Sequence, residues 1–148
     1  MDEDQKFVPD LLERANRVWN NGNFMVFDEL YAPDVIHYHP GMGVLEGSQS
    51  LAVYIRNLRA QYPDLVITFE ETIFDGEKMV CQWRLKGTDM GMHAASAGPP
   101  TGKNVDIKGA EVMYFRDGKI VKDHVYYDQY ALLQQLGLLE QFGVGGDQ

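Results

Sequence analysis

A single cysteine, Cys81, in 148 residues excludes an intrachain disulfide and a thiolate metal cluster. Basic side chains are scarce. Thirteen Lys+Arg against 22 Asp+Glu leave a formal net charge of −9, and so acidic a surface repels phosphate backbones and anionic lipid. The expectation is no nucleic-acid partner and no membrane partner. No apolar run approaches the ~18 residues of a membrane span. The opening MDEDQK is acidic and does not read as a signal peptide, so a cytoplasmic, reducing compartment is expected. Phosphate-binding loops, dinucleotide fingerprints, Gly-x-Ser-x-Gly and Ser-x-x-Lys are all missing, which leaves hydride and phosphoryl transfer unsupported and no cofactor expected.

What is present suits one globular domain. Hydrophobic residues make up 45% and charged residues 24%, and a chain of this length buries roughly 68–70% of its unfolded surface. The expected domain covers residues 1–142, with 143–148 (GVGGDQ) a flexible tail.

Helical signals come first. Phe7, Val8, Leu11, Leu12, Ala15, Val18 and Trp19 recur at helical spacing and predict a helix from about Asp4 to Asn20, ended by Gly22. A short helix is expected near Phe24–Tyr31, stopped by Pro33-Asp34, and then a short strand from Val35 to His39. Ser48–Gln61 reads as the third helix, with Leu51, Tyr54, Ile55 and Leu58 on one side. Strand signals follow. Leu65, Ile67, Phe69 and Ile73 alternate before Asp75-Gly76, and Met79, Cys81, Trp83 and Leu85 alternate after it, which predicts a hairpin with one buried face. A second hairpin is expected from Val105–Phe115 and Lys119–Tyr127 around Asp117-Gly118. Between the hairpins, residues 87–104 form a long Gly/Ala/Pro-rich loop of the kind that covers binding sites. Asp128 can cap a last helix running through Leu139, with Tyr130, Leu132, Leu133 and Leu136 as its stripe. Helices followed by an antiparallel sheet make an α+β arrangement. A curved sheet around helices leaves a conical pocket.

Two carboxyls stand out. Glu111 is the lone charge on the strand face Val105, Ile107, Gly109, Glu111, Met113, Phe115, and Asp123 is the lone charge on Val121, Asp123, Val125, Tyr127. A carboxyl facing an apolar interior is costly to ionise, which moves it toward acid–base use. A three-residue turn with a bulge at Gly118 would place Glu111 directly opposite Asp123. A two-residue Asp-Gly turn would instead set Glu111 against His124 and send Asp123 to the other face. The bulged form is favoured. Both acids could equally lie on a solvated face.

His37 and His39 share a face. With His93, His124 or Asp123 they could hold a metal, but two histidines at this spacing are nonspecific and no metal is expected. A proton-shuttling pocket histidine fits better. Trp19, Tyr54, Trp83 and Tyr127 supply aromatic lining for a flat apolar ligand, with Met113 and Val125 between them and Met92 in the long loop as part of a flap. Cys81, on an apolar strand face, reads as a small core residue.

The segments WNNGN (Trp19–Asn23), LYAPD (Leu30–Asp34), YPDL (Tyr62–Leu65), KGTDMG (Lys86–Gly91), GPPTGKNV (Gly98–Val105), FRDGKI (Phe115–Ile120) and DQYALLQQLG (Asp128–Gly137) stand in order. Through them the chain resembles the SnoaL-like polyketide cyclases of the nuclear-transport-factor-2-like superfamily, from about Val18 to Gly137. The resemblance implies a cone-shaped α+β barrel, a small hydrophobic carbonyl ligand of polyketide or steroid type, no cofactor, and a homodimer. It also implies an acid–base aspartate at the position of Val125, a histidine at Met113 and an asparagine at His37, the family's polar first-strand position. Valine and methionine move no protons, so that machinery does not carry over.

Three readings follow. One is a cofactor-free isomerase, cyclase or dehydratase using Asp123, Glu111 and His37, with His39 and the aromatics binding substrate. A second is a non-catalytic binder of the same hydrophobic ligands. The third is an accessory dimer built on the outer sheet face through Lys108, Tyr114 and Tyr126.

Overall fold

The computed structural model describes residues 3–91 and 99–139. Helix α1 (Glu3–Asn21) turns Leu11, Ala15 and Val18 into the core. A 3₁₀ turn at Phe24–Val26 leads into the one-turn helix α2 (Phe27–Leu30). Strand β1 (Tyr31–His39) forms a hairpin with β2 (Gly43–Glu46). Helix α3 (Ser48–Gln61) follows, then β3 (Val66–Phe74), β4 (Lys78–Thr88), β5 (Asn104–Arg116), β6 (Lys119–Tyr127) and helix α4 (Gln129–Leu136). Asp128 caps α4 by accepting from the Ala131 N–H, and left-handed Gly137 ends it.

The six strands form one sheet in the order β2-β1-β6-β5-β4-β3, antiparallel except for β1 against β6. The α+β cone expected from the sequence is the observed fold. Two carboxamides tie helices to strand segments that lack a neighbour. Asn20 exchanges two hydrogen bonds with the Ile67 backbone on edge strand β3, at 2.6 and 2.8 Å. Gln135 does the same with Asp106, where β5 outruns β6, at 2.7 and 3.0 Å. Each side chain stands in for a missing strand partner.

Several expected details change. Strand β1 begins at Tyr31 and runs through Pro33, because a three-residue irregularity between Tyr31 and Ile36 removes the need for a Pro33 N–H. Strand β2 was not foreseen. A bulge between Phe69 and Thr72 flips the end of β3, so Ile73, expected inside, is 64% exposed, while Phe74 packs on Phe7 and Phe115. Tyr130 is exposed, not part of a buried stripe, and α4 ends at Leu136. Loop residues 92–98, which include Met92 and His93, and the tail 143–148 lie outside the described residues.

The β5–β6 hairpin also departs from the favoured register. Asp117 (φ 52) and Gly118 (φ 76) both have positive φ and close a two-residue turn with Arg116 paired to Lys119. Asp-Gly suits that turn well enough to override the bulged form. A bulge then comes one step later, where Phe115 pairs with Ile120 but Tyr114 with Lys122, so Val121 is the extra residue. It restores the parity. Ile120, Asp123 and Val125 point inward, Val121 does not share their pattern of burial, and Asp123 stays on the face of Glu111. The two acids are diagonal, not directly opposite: Asp123 faces Met113, and Glu111 faces Val125.

Candidate functional site

The concave face of the sheet and helices α1, α3 and α4 enclose a cavity of about 1010 Å³. Leu11, Leu30 and Ile120 line its buried end, and exposed Met42, Pro100 and Lys103 mark its mouth. Trp19, His37, His39, Tyr54, Trp83, Glu111, Met113, Val125 and Tyr127 all line it. Asp123 does not. It lies behind that surface, 1% exposed.

The parallel pairing of β1 with β6 sets His37 beside Asp123. His37 Nδ1 is 3.8 Å from Asp123 Oδ2, too far for a hydrogen bond; among the described residues neither His37 nitrogen has a hydrogen-bonding partner, and the Asp123 carboxyl meets no donor but shares a hydrogen bond with the Glu111 carboxyl. Burial, followed by the neighbouring Glu111 carboxyl, pushes the Asp123 carboxyl well above its ordinary range. Burial raises Glu111 too, and Asp123 pulls it part of the way back. Burial, with His39 adding to it, lowers His37 to about 3. At neutral pH the imidazole is uncharged, and the two raised carboxyls titrate as one coupled pair that holds a proton more readily than free acids would.

His39 and Tyr54 form a second polar station nearer the mouth. His39 Nδ1 is 2.9 Å from the Pro40 carbonyl, and its Nε2 is 2.7 Å from the Tyr54 hydroxyl. Burial lowers His39 and raises Tyr54. The Tyr127 ring packs edge-on against His39 at 5.3 Å, and Trp83 lies 6.2 Å from Tyr127. Trp83 can lie across β5 only because residue 109 is glycine: a Cβ there would come within 2.3 Å of the indole ring.

Two residues were not foreseen as part of the site. Tyr31 lines the cavity near both acids; burial, then Asp123 and Glu111, raise its hydroxyl well above the usual value. Its oxygen accepts the Trp19 indole N–H at 3.0 Å. Asp89, 4% exposed, accepts from the Gln61 amide, the Gly91 and Thr101 N–H groups and the Thr101 hydroxyl, and so ties together the stems of the long loop. Both lie within segments that carry the family resemblance, LYAPD and KGTDMG, where the residue types alone do not separate site from scaffold. Cys81 is fully buried; burial, then Glu111 and Asp123, push its thiol up to about 12, so it is no nucleophile. Among the described residues, no group of three or more His, Cys, Asp or Glu is arranged to hold a metal ion. Among the described residues, no helix is long and apolar enough to cross a membrane.

Chemically, the inner station has a buried proton donor, a carboxyl that can take a proton at the cavity surface, and a neutral imidazole beside them. The carboxyls sit one pleat away from the positions where the resemblance implies an aspartate and a histidine. Position 125 is Val, with Asp123 two residues before it, and position 113 is Met, with Glu111 two residues before it.

Several solved structures share this fold. TsrD from Streptomyces laurentii superposes with a TM-score of 0.79 at 22% identity, over 93% of this chain and 98% of that one. A candidate polyketide cyclase from Acidithiobacillus ferrooxidans gives 0.72 at 26% identity, over 93% and 98%. IdmH from Streptomyces antibioticus, another candidate polyketide cyclase, gives 0.71 at 22%, over 87% and 97%. No curated protein matches the chain. The family model described as SnoaL-like polyketide cyclase matches residues 9–136. The chain therefore belongs to the SnoaL-like polyketide cyclase family.

Proposed function

We propose that the protein is a cofactor-free acid–base enzyme acting on a hydrophobic carbonyl compound, by isomerisation, aldol-type closure or dehydration. One observation carries the reading: at the buried end of the cavity two carboxyls are bonded to one another, beside an imidazole that has no hydrogen-bonding partner among the described residues. Unpaired buried polar groups cost stability, about 1–3 kcal/mol each, and such a cost suits groups that exchange protons with a ligand.

In this reading Glu111 touches the substrate. Its carboxylate takes a proton from the carbon beside the carbonyl, the C–H electron pair becomes a C=C bond as the C=O π pair moves onto oxygen, and the Tyr31 hydroxyl donates to that oxygen. Returning the proton to a different carbon completes an isomerisation; attack of the enolate on a second carbonyl carbon completes a closure. Asp123, which holds its own proton behind Glu111, stabilises the Glu111 carboxylate and is a positioning group. Neutral His37 supports the pair from the other side.

The probe is 1-tetralone in D2O, with deuterium uptake beside the carbonyl followed by NMR. Wild type is expected to accelerate exchange, and Glu111→Gln to lose about 100-fold or more. Exchange that is unchanged in Glu111→Gln refutes the role.

The alternative is a non-catalytic binder, favoured by Val125 and Met113 at the family's acid–base positions. Unmodified 1-tetralone bound with no accelerated exchange would decide for it. The partner we propose besides the ligand is a second copy of the chain. Val44, Val80 and Tyr126 are exposed on the outer sheet face, beside Tyr114 with Lys78 and Lys122 over its ring at 5.2 and 4.4 Å. Light scattering that returns the mass of one chain would reject the dimer.

A further inference from the structure

Two tyrosines of the cavity, Tyr54 in the outer station and Tyr31 in the inner one, have opposite hydrogen-bonding sense. A carbonyl oxygen only accepts, so the contact between His39 Nδ1 and the Pro40 carbonyl places the ring proton on Nδ1. Burial disfavours a second ring proton, so Nε2 is an acceptor. The 2.7 Å contact with Tyr54 is then donation from the Tyr54 hydroxyl to Nε2. With its proton committed, the Tyr54 oxygen can only accept from a ligand. Gln129 adds a buried side-chain oxygen without a partner at the same end, its amide lying over Gly41.

At the inner end the sense reverses. The Trp19 indole N–H occupies the Tyr31 oxygen, and Tyr31 is left with a proton to give. Trp19 touches both stations: its indole N–H bonds to Tyr31, and its ring centroid is 6.3 Å from that of Tyr54.

The geometry points to a hydroxy ketone as the ligand: its carbonyl oxygen accepts from Tyr31 at the inner end, and its hydroxyl donates to Tyr54 at the outer end. An ether or a second ketone in place of the hydroxyl would set acceptor against acceptor at Tyr54. This inference rests on the proposed reading of the inner station as a carbonyl site and adds the chemistry of the opposite end.

The test uses 1-tetralone, its 5-, 6- and 7-hydroxy derivatives and the matching methoxy ethers, titrated calorimetrically into wild type and Tyr54→Phe. At least one hydroxy isomer is expected to bind about fivefold tighter than its own ether, the worth of one neutral hydrogen bond. That preference, read against 1-tetralone in the same protein, should shrink in Tyr54→Phe. Should Tyr54→Phe fail to fold, the wild-type ratio decides. Equal or reversed affinities for every hydroxy–methoxy pair overturn the inference and leave the carbonyl site standing, as does a preference that survives in Tyr54→Phe. Failure of 1-tetralone itself to bind removes the underlying reading.

Discussion

Asp123 and Asp89 are both aspartates beside the same cavity, 1% and 4% exposed, and they have opposite fates. Asp89 is met by four donors. Burial alone would raise it, but the Thr101 hydroxyl, the Gln61 amide and the two N–H groups outweigh burial and hold the carboxyl below its ordinary value. It is a charged tie that closes the loop stems onto the end of α3, where the Met90 N–H also reaches the Gln61 carbonyl. Asp123 meets no donor among the described residues, shares its hydrogen bond with a second carboxyl, Glu111, and is driven the other way. Burial therefore does not mark a functional carboxyl by itself. The missing donors do, because an acid that four donors hold as its anion has no proton to trade, whereas one held against a second carboxyl does.

The largest effect that could break this contrast is on chemistry. Asp123→Asn keeps the shape of the protonated acid but removes its titration, so exchange of 1-tetralone should fall at least about tenfold, with pH dependence altered. Asp89→Asn should leave exchange near the wild-type rate. Equal losses in the two variants, measured by NMR, would erase the distinction.

Next comes stability, where the order inverts. Asn at position 89 keeps one acceptor but turns an NH2 group toward donors, so Asp89→Asn should cost about 2 kcal/mol in urea unfolding. Asp123→Asn should cost nothing at pH 8 or stabilise the fold, because it removes a buried group that would otherwise have to hold its proton. A comparable structural penalty is expected from Gly109→Ala, about 1–3 kcal/mol, since the new methyl group collides with Trp83.

The sequence made the inner faces of the strands legible because alternation is a local property. Met79, Cys81, Trp83 and Leu85 are all buried as their spacing requires, and Glu111 and Asp123 were visible as lone charges in such patterns. Bulges were not legible. The extra residues at Val121 and near Glu70 depend on how a strand curves against its neighbour, and curvature is a property of the whole sheet. The pairing of His37 with Asp123 was out of reach for the same reason, since those residues are 86 positions apart and meet only through the parallel β1–β6 contact. Nor could spacing separate Asp89 from Asp123: what distinguishes them is the set of donors that the fold brings to one and withholds from the other.

The smallest effect is the most discriminating, because the two aspartates bend stability against pH in opposite directions. Asp89 is lowered in the fold, so its contribution is complete above the unfolded value near 4 and is lost only as pH falls through the lower native value. Between pH 5 and 8 it adds no slope. Asp123 is raised, so the native state keeps a proton that the unfolded chain has already released. Its stability is complete below about pH 4 and declines as pH rises toward the native value, by at most about 1.4 kcal/mol per pH unit for one proton. His37, depressed to about 3, works on the other limb: its share is complete above the unfolded value near 6.5 and is lost as pH falls toward 3. The Tm of Asp123→Asn should therefore gain on wild type as pH rises from 5 to 8, while His37→Gln should gain as pH falls from 6.5 to 4. Asp89→Asn should run parallel to wild type across the upper range. Parallel curves for Asp123→Asn as well would mean that a donor reaches its carboxyl in solution, and Asp123 would then belong with Asp89 as scaffold.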